Sequence, residues 1–325
     1  MTLSRATLDM GGVAFDVHHD ARIPRDLLSP IGAVCAHGPD RPDAGARIEL
    51  VLAESGFIDA PTGRPSFFHG RVRVFADEDA SLTIDDGTAR VLVAPGGSIV
   101  RARLSRAALA PGSIFARTTM NIALVLALRW RAYFHIHAGL CELPDGRAVM
   151  LVGPSGAGKS TTTALLGEAG LRMCCDDACL LTRKGDIVFA TPLARAFHLA
   201  AALLPRLPGL AAHGWNEIAP GRLEARTPPP PSLPQSVAQI VVVSPERLAR
   251  TRVARISPAD GVAGLLESSA LVAAEGLPHA RAHLEVLGLL ASQARIVALT
   301  PGPDFFDRPR AIWDDMQAAF SETSS

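Results

Sequence analysis

Aromatic side chains are scarce in this chain, at 5% of residues with a single tyrosine, Tyr133. A core must therefore be built from Ala, Val and Leu rather than from large rings. Charge of either sign is not in excess: 32 Lys and Arg balance 32 Asp and Glu. No net basic field draws the chain to nucleic acid or to an anionic membrane surface, and neither is expected as a partner. Long apolar runs are lacking too. The longest, Ile122 to Leu128, is bounded by Asn121 and Arg129, which is too short to cross a bilayer. The first residues, Met1-Thr2-Leu3-Ser4-Arg5, carry no extended apolar region of the secretory kind, so a cytoplasmic location is expected. The five cysteines, Cys35, Cys141, Cys174, Cys175 and Cys179, are odd in number and irregular in spacing, which speaks against a disulfide framework. Cys174, Cys175 and Cys179 have no second Cys or His pair at zinc-ligand spacing and read as small apolar residues of a buried strand.

With 48% hydrophobic and 20% charged residues over 325 positions, the composition is that of a globular protein with a sizeable core and length enough for two domains. Residues 1–110 read as a β-rich domain for substrate binding or assembly. Alternation marks strands at 46–52, 70–75, 81–84 and 90–93, with Asp85-Asp86-Gly87 as a hairpin turn. His18 and His19, adjacent and hence on opposite faces of any strand, read best as part of a surface loop or sheet edge.

Residues 111–325 read as a second, α/β domain. A helix is expected over 111–132, then an alternating strand over 133–140 that puts His135 and His137 on one face. Next comes an apolar strand, Ala148 to Val152, followed by Gly153-Pro154-Ser155-Gly156-Ala157-Gly158-Lys159-Ser160 and a short helical stretch from Thr161 to Gly170. This is G-x-x-x-x-G-K-S in the strand–loop–helix setting that a phosphate-binding loop requires. Gly156 and Gly158 permit the tight turn, and the amides of residues 153–161, Ser155, Ala157 and Thr161 among them, would face phosphate oxygens at a positive helix end. Lys159 would reach the β- and γ-phosphates and the Ser160 hydroxyl would ligate Mg²⁺. A further apolar strand, Leu171 to Cys175, ends in Asp176-Asp177. Two carboxylates directly after a buried strand call for a metal or hydroxyl partner. A hairpin over 178–190, an irregular stretch over 191–234 that includes a proline-rich segment, and strands and helices alternating to the end complete the pattern of a parallel-leaning sheet covered by helices.

His137-Ala138-Gly139, the 153–160 loop and Asp176-Asp177, taken together at this spacing, resemble the catalytic domain of HPr kinase/phosphorylase, and still more the HPr-kinase-related kinases. The resemblance covers roughly residues 130–200. It implies a P-loop kinase core related to phosphoenolpyruvate carboxykinase, with ATP and Mg²⁺ as cofactors and a serine hydroxyl as phosphoryl acceptor. Carried over by position, Asp176 would be the base, Ser160 and Asp177 would serve Mg²⁺, and His137 would assist the acid–base step. Of the arginines beyond the hairpin, Arg195 or else Arg206 would stabilise the transferring charge, with a surface arginine an equal or better reading of either. Thr161 stands where the family has Glu, and its glycine-rich segment has no counterpart among Ala200 to Leu210. Both departures, with the dissimilar N-terminal half, point to a peptide, protein or small-molecule acceptor other than HPr. Family members assemble as hexamers, so a homo-oligomer is an open expectation. The rival reading is a nucleotide-binding regulator or peptide-docking protein with little catalysis. A GTPase or ABC-type NTPase is disfavoured, since neither N-K-x-D nor L-S-G-G-Q occurs.

Overall fold

Period-two alternation of apolar and polar residues builds the N-terminal part of the chain. In a computed structural model, residues 3–10, 12–31, 33–36, 46–53, 61–110, 112–193, 197–211, 214–225, 234–269 and 276–321 are described. The first strands are β1 (Leu3–Met10), β2 (Val13–Asp20), β3 (Ala33–Ala36), β4 (Ala46–Leu52), β5 (Phe67–His69), β6 (Val72–Ala76), β7 (Leu82–Asp85), β8 (Ala89–Val93) and β9 (Ile99–Leu104). They form one sheet in the order β3-β1-β2-β4-β9-β8-β7-β6-β5. Leu8, Val17, Ile48, Leu50, Val100, Ala102, Val91, Ile84 and Val74 are buried on it, while Arg47, Arg101 and Arg103 of the alternate positions are exposed.

Two expectations change here. The histidine pair lies on β2, which is hydrogen-bonded on both sides, to β1 and to β4. It is therefore in the interior of a sheet rather than in a loop or at an edge. His19 is buried and donates from Nδ1 to the Asp20 carbonyl at 3.0 Å, and His18 pairs with Asp16 at 2.6 Å. The helix expected over 111–132 is a π turn, Phe115–Thr119, leading into α1 (Met120–Arg129). Its residues are apolar almost all round and pack on β8 and β9, which carries the first compact unit past residue 110. That unit comprises Met1–Phe134 with Leu271–His283; the second comprises His135–Ala270 with Leu284–Ser325.

The following elements are β10 (Phe134–Ile136), β11 (Gly139–Glu142), β12 (Ala148–Val152), α2 (Lys159–Glu168), β13 (Arg172–Cys175), β14 (Cys179–Lys184), β15 (Ile187–Pro192) and β16 (Phe197–Ala200). Then come α3 (Pro208–Ala211), β17 (Asn216–Ala219), β18 (Arg222–Ala225), β19 (Gln235–Val243), β20 (Arg252–Arg255), α4 (Pro258–Glu267), α5 (Ala280–Gln293), β21 (Arg295–Thr300), α6 (Asp304–Asp307) and α7 (Pro309–Ser321).

The main sheet of the second unit runs β10-β14-β15-β19-β12-β11-β13, with β21 also paired to β19 and β20 to β21. The β12–β19 and β19–β21 pairs are parallel; the β11–β12, β11–β13, β14–β15, β15–β19 and β20–β21 pairs are antiparallel. The chain is thus a mixed α/β protein. Val149, Leu151, Val241, Val243, Val297 and Leu299 on the sheet pack with Leu165 and Leu166 of α2 and with Ile312, Trp313, Met316 and Phe320 of α7 in one buried cluster. Aliphatic packing dominates it, as the shortage of rings requires.

The strand expected over 133–140 is two strands. After β10 the chain leaves the β14 side of the sheet, the His137 N–H donates to the Ser268 carbonyl at 2.8 Å, and β11 then joins β12. The stretch from 191 to 234 contains a small sheet, β16-β18-β17. The proline-rich segment, residues 227–234, lies outside the described residues except for Pro234. Among the described residues no helix is long and apolar enough to cross a membrane.

Candidate active site

The site is positioned by β12, whose five residues are all buried, and by the N-terminus of α2. Between them the glycine-rich loop turns through two left-handed positions that matter most. Gly153 has φ +140, and a Cβ there would come 2.4 Å from the Val243 carbonyl oxygen of β19. Gly158 has φ +98 and caps α2. A side chain at either place would strain the backbone. Inside the turn the Ala157 N–H donates to the Pro154 carbonyl at 3.1 Å, and the Thr162 N–H to the Gly158 carbonyl at 2.8 Å.

Lys159 is 4% exposed. Its Nζ donates to the carbonyls of Gly153 at 2.8 Å and Pro154 at 3.2 Å. Burial lowers its pKa below the ordinary lysine value, and the charge of Asp177 opposes that shift. A cavity of about 240 Å³ opens beside the loop, lined by Gly156, Gly158, Lys159, Ser160, Thr161, His137 and by His198 to Ala200 with Leu203.

The two acids sit in unlike surroundings. Asp176 is 3% exposed. It accepts the His198 backbone N–H at 3.3 Å. Burial, and then the neighbouring charge of Asp177, push its pKa up to about 7, against the opposing pull of the His198 N–H and the Ser160 hydroxyl. Asp177 pairs through Oδ1 with His137 Nδ1 at 3.0 Å, and both side chains are more than a third exposed. The carboxylate fixes the histidine tautomer on that side.

The structure thus gathers Lys159, Ser160, Asp176, Asp177 and His137, together with the amides of the loop. Arg195 lies outside the described residues. Arg206 is tied elsewhere, to Asp307 at 2.9 Å and over the Phe306 ring. Three contributors carried no motif. Ser268, at the C-terminal end of α4, binds the Gly153 N–H through Oγ at 2.9 Å and the His137 N–H through its carbonyl. His198, on β16, lines the cavity opposite the loop and faces Glu224 at 3.7 Å. Arg247 reaches the loop at the Ala157 carbonyl, at 3.0 Å. Ser268 and Arg247 act on backbone groups of the loop, which leave no trace in residue spacing.

Among the described residues no group of three His, Cys, Asp or Glu side chains is placed to hold a metal ion. The Ser160 hydroxyl and the two carboxylates are hard oxygen donors. That set suits Mg²⁺, which takes one or two carboxylates and completes its shell with water and phosphate oxygens. Cys141, Cys174, Cys175 and Cys179 are buried thiols. Burial pushes Cys174 up to about 12 and Cys141 well above its ordinary value, and Cys175 and Cys179 touch at 3.3 Å.

Fold and site together define a mixed α/β protein in which a glycine-rich loop with a buried lysine opens on a cavity beside two adjacent carboxylates. No family model matches the chain. Over 70 residues it is 40% identical to an HPr kinase/phosphorylase of Chlorobium phaeobacteroides (strain BS1). That similarity covers 22% of this chain and 20% of the curated relative, so it supports at most a distant relationship over that stretch.

Proposed function

We propose that the protein is a kinase that transfers the γ-phosphate of ATP, as its Mg²⁺ complex, to a hydroxyl. The acceptor is taken to be a serine of a peptide, a protein or a small molecule other than HPr. The observation that carries this reading is the pairing of Asp177 with His137 at 3.0 Å at a cavity that Lys159 and Ser160 of the glycine-rich loop also line, with Asp176 next to Asp177. The partial likeness to a kinase/phosphorylase supports it.

The loop amides and Lys159 would neutralise the phosphates and hold them in line, and positioning with fixed charge accounts for most of the rate in such transfers. Ser160 would hold Mg²⁺, with Asp176 beside the same hydroxyl. When present, the ion would offset the charge of the phosphate oxygens. The contacts favour a division of labour opposite to the one expected from the sequence. Asp176 is enclosed, beside Ser160 and on the His198 amide, so it suits the metal side. Asp177 is open to solvent and oriented by His137, so it suits the removal of the acceptor's proton. His137, hydrogen-bonded to that carboxylate, would steady the proton as it arrives.

The test is product analysis. The purified chain is incubated with ATP, Mg²⁺ and a panel of serine-bearing peptides together with free serine, and phosphate esters and ADP are sought by mass spectrometry. Ester formation, with ADP in equal amount, is expected. Tight ATP binding with no turnover of any acceptor would leave the nucleotide-binding regulator as the function.

A further inference from the structure

Resting on the phosphate-binding reading above, we infer that Arg247 is a positioning residue. It holds the Ala157–Gly158 peptide in the one orientation that turns the Gly158 N–H toward the bound phosphate. The argument is geometric. Arg247 follows β19, which is paired in parallel with β12, the strand that delivers the glycine-rich loop. Its Nη1 donates to three carbonyls of its own turn, Ser244 at 3.1 Å, Pro245 at 3.0 Å and Glu246 at 2.9 Å. With one arm of the fork fixed, Nη2 reaches across and donates to the Ala157 carbonyl at 3.0 Å.

A trans peptide is planar, so the carbonyl of one residue and the N–H of the next point in opposite directions. Holding the Ala157 oxygen toward Arg247 therefore directs the Gly158 N–H away from it. Gly158 is a wall of the cavity. At φ +98 with no Cβ, it places little restraint of its own on the peptide that precedes it. The restraint comes from the arginine, and the contact is close: a Cβ on Gly158 would stand 3.1 Å from Nη2. The planar fork matters because a single ammonium cannot span both sets of carbonyls in fixed geometry.

The test compares wild type, Arg247→Ala and Arg247→Lys as full-length chains. Affinities for inorganic pyrophosphate and for Mg·ADP are measured by calorimetry, and melting temperatures without ligand. Arg247→Ala is expected to weaken both ligands about tenfold, the scale of one charge-assisted hydrogen bond. Arg247→Lys is expected to stay close to the alanine variant, with little change in melting temperature. Unchanged pyrophosphate affinity in Arg247→Ala overturns the inference, and so does a loss of affinity matched by a large fall in melting temperature. Wild type that binds neither ligand overturns the kinase reading itself, and this inference with it.

Discussion

Asp177 Oδ1 lies 3.0 Å from His137 Nδ1, while its neighbour Asp176, just past β13, accepts the His198 amide at 3.3 Å and feels the Ser160 hydroxyl. Adjacent carboxylates thus face different partners, and their amide variants should fail in different ways. Asp176→Asn is expected to weaken the Mg²⁺ dependence of ATP binding at least about tenfold, because it removes the charge beside the serine hydroxyl. Asp177→Asn is expected to bind Mg·ATP nearly as wild type does and to lose transfer by about a hundredfold or more, the usual scale for a missing proton acceptor. Nucleotide titrations paired with single-turnover transfer would separate the two. Identical defects in both variants would dismiss the division of roles.

Lys159 has its ammonium on the carbonyls of its own loop, 2.8 Å from Gly153 and 3.2 Å from Pro154. Phosphate oxygens would offer it full negative charge in place of partial charge, and burial makes that exchange more favourable. Lys159→Ala should abolish ATP turnover while the fold survives, since the Gly153 carbonyl keeps the Ser268 hydroxyl at 3.3 Å and Pro154 is only partly buried. Circular dichroism with a coupled ADP assay checks both halves. Turnover within tenfold of wild type would remove the lysine from the mechanism.

Asp176 also makes stability depend on pH. Its pKa rises from 3.8 to about 7 on folding, so between those values the folded chain holds a proton that the unfolded chain has released. The stability tied to that proton is complete below the unfolded pKa and disappears as pH rises through the folded one. At pH 8, without metal or nucleotide, a buried carboxylate is left charged at a cost on the order of a few kcal/mol. Asp176→Asn should therefore be more stable than wild type at pH 8 in chelator, and the advantage should shrink toward pH 5. Parallel urea-denaturation curves for the two chains across that range would contradict the raised pKa.

The strand–loop–helix around residue 153 was legible because its signals agree. Ala148 to Val152 is continuously apolar and wholly buried, and the glycines and Lys-Ser follow at once. The hairpin of β14 and β15 was legible from Lys184-Gly185-Asp186, which falls at its turn. The β16-β18-β17 sheet was not, because β17 is exposed at all four positions and so has no buried face to impose alternation. β1 and β2 flank Gly11-Gly12, itself a hairpin dipeptide between alternating runs, so that pair was legible in the sequence although no strand was expected there. Arg247, Ser268 and the amide of His198 could not be found from sequence, since each is distant in the chain from the loop or acid it contacts and meets a backbone group or uses its own, which leaves no partner residue type to look for.

The two left-handed glycines at 153 and 156 offer a last comparison. Gly156 has φ +81, and an added Cβ would meet nothing within 4 Å. Gly156→Ala should cost only the backbone strain of a positive φ, about 1 kcal/mol. At Gly153, φ is +140 and the Cβ would lie 2.4 Å from the Val243 carbonyl oxygen and 3.5 Å from the Val243 nitrogen. Those are backbone atoms of β19 at the end of its parallel pairing with β12, so neither side can yield without disturbing the centre of the sheet. Gly153→Ala should therefore cost about 3 kcal/mol or more. It should also displace the carbonyl that Lys159 holds, so nucleotide affinity should fall with stability. In Gly156→Ala any loss of affinity should come without a comparable loss of stability. Equal denaturation midpoints for the two variants would show that β12 and β19 are not held together as tightly as this contact requires.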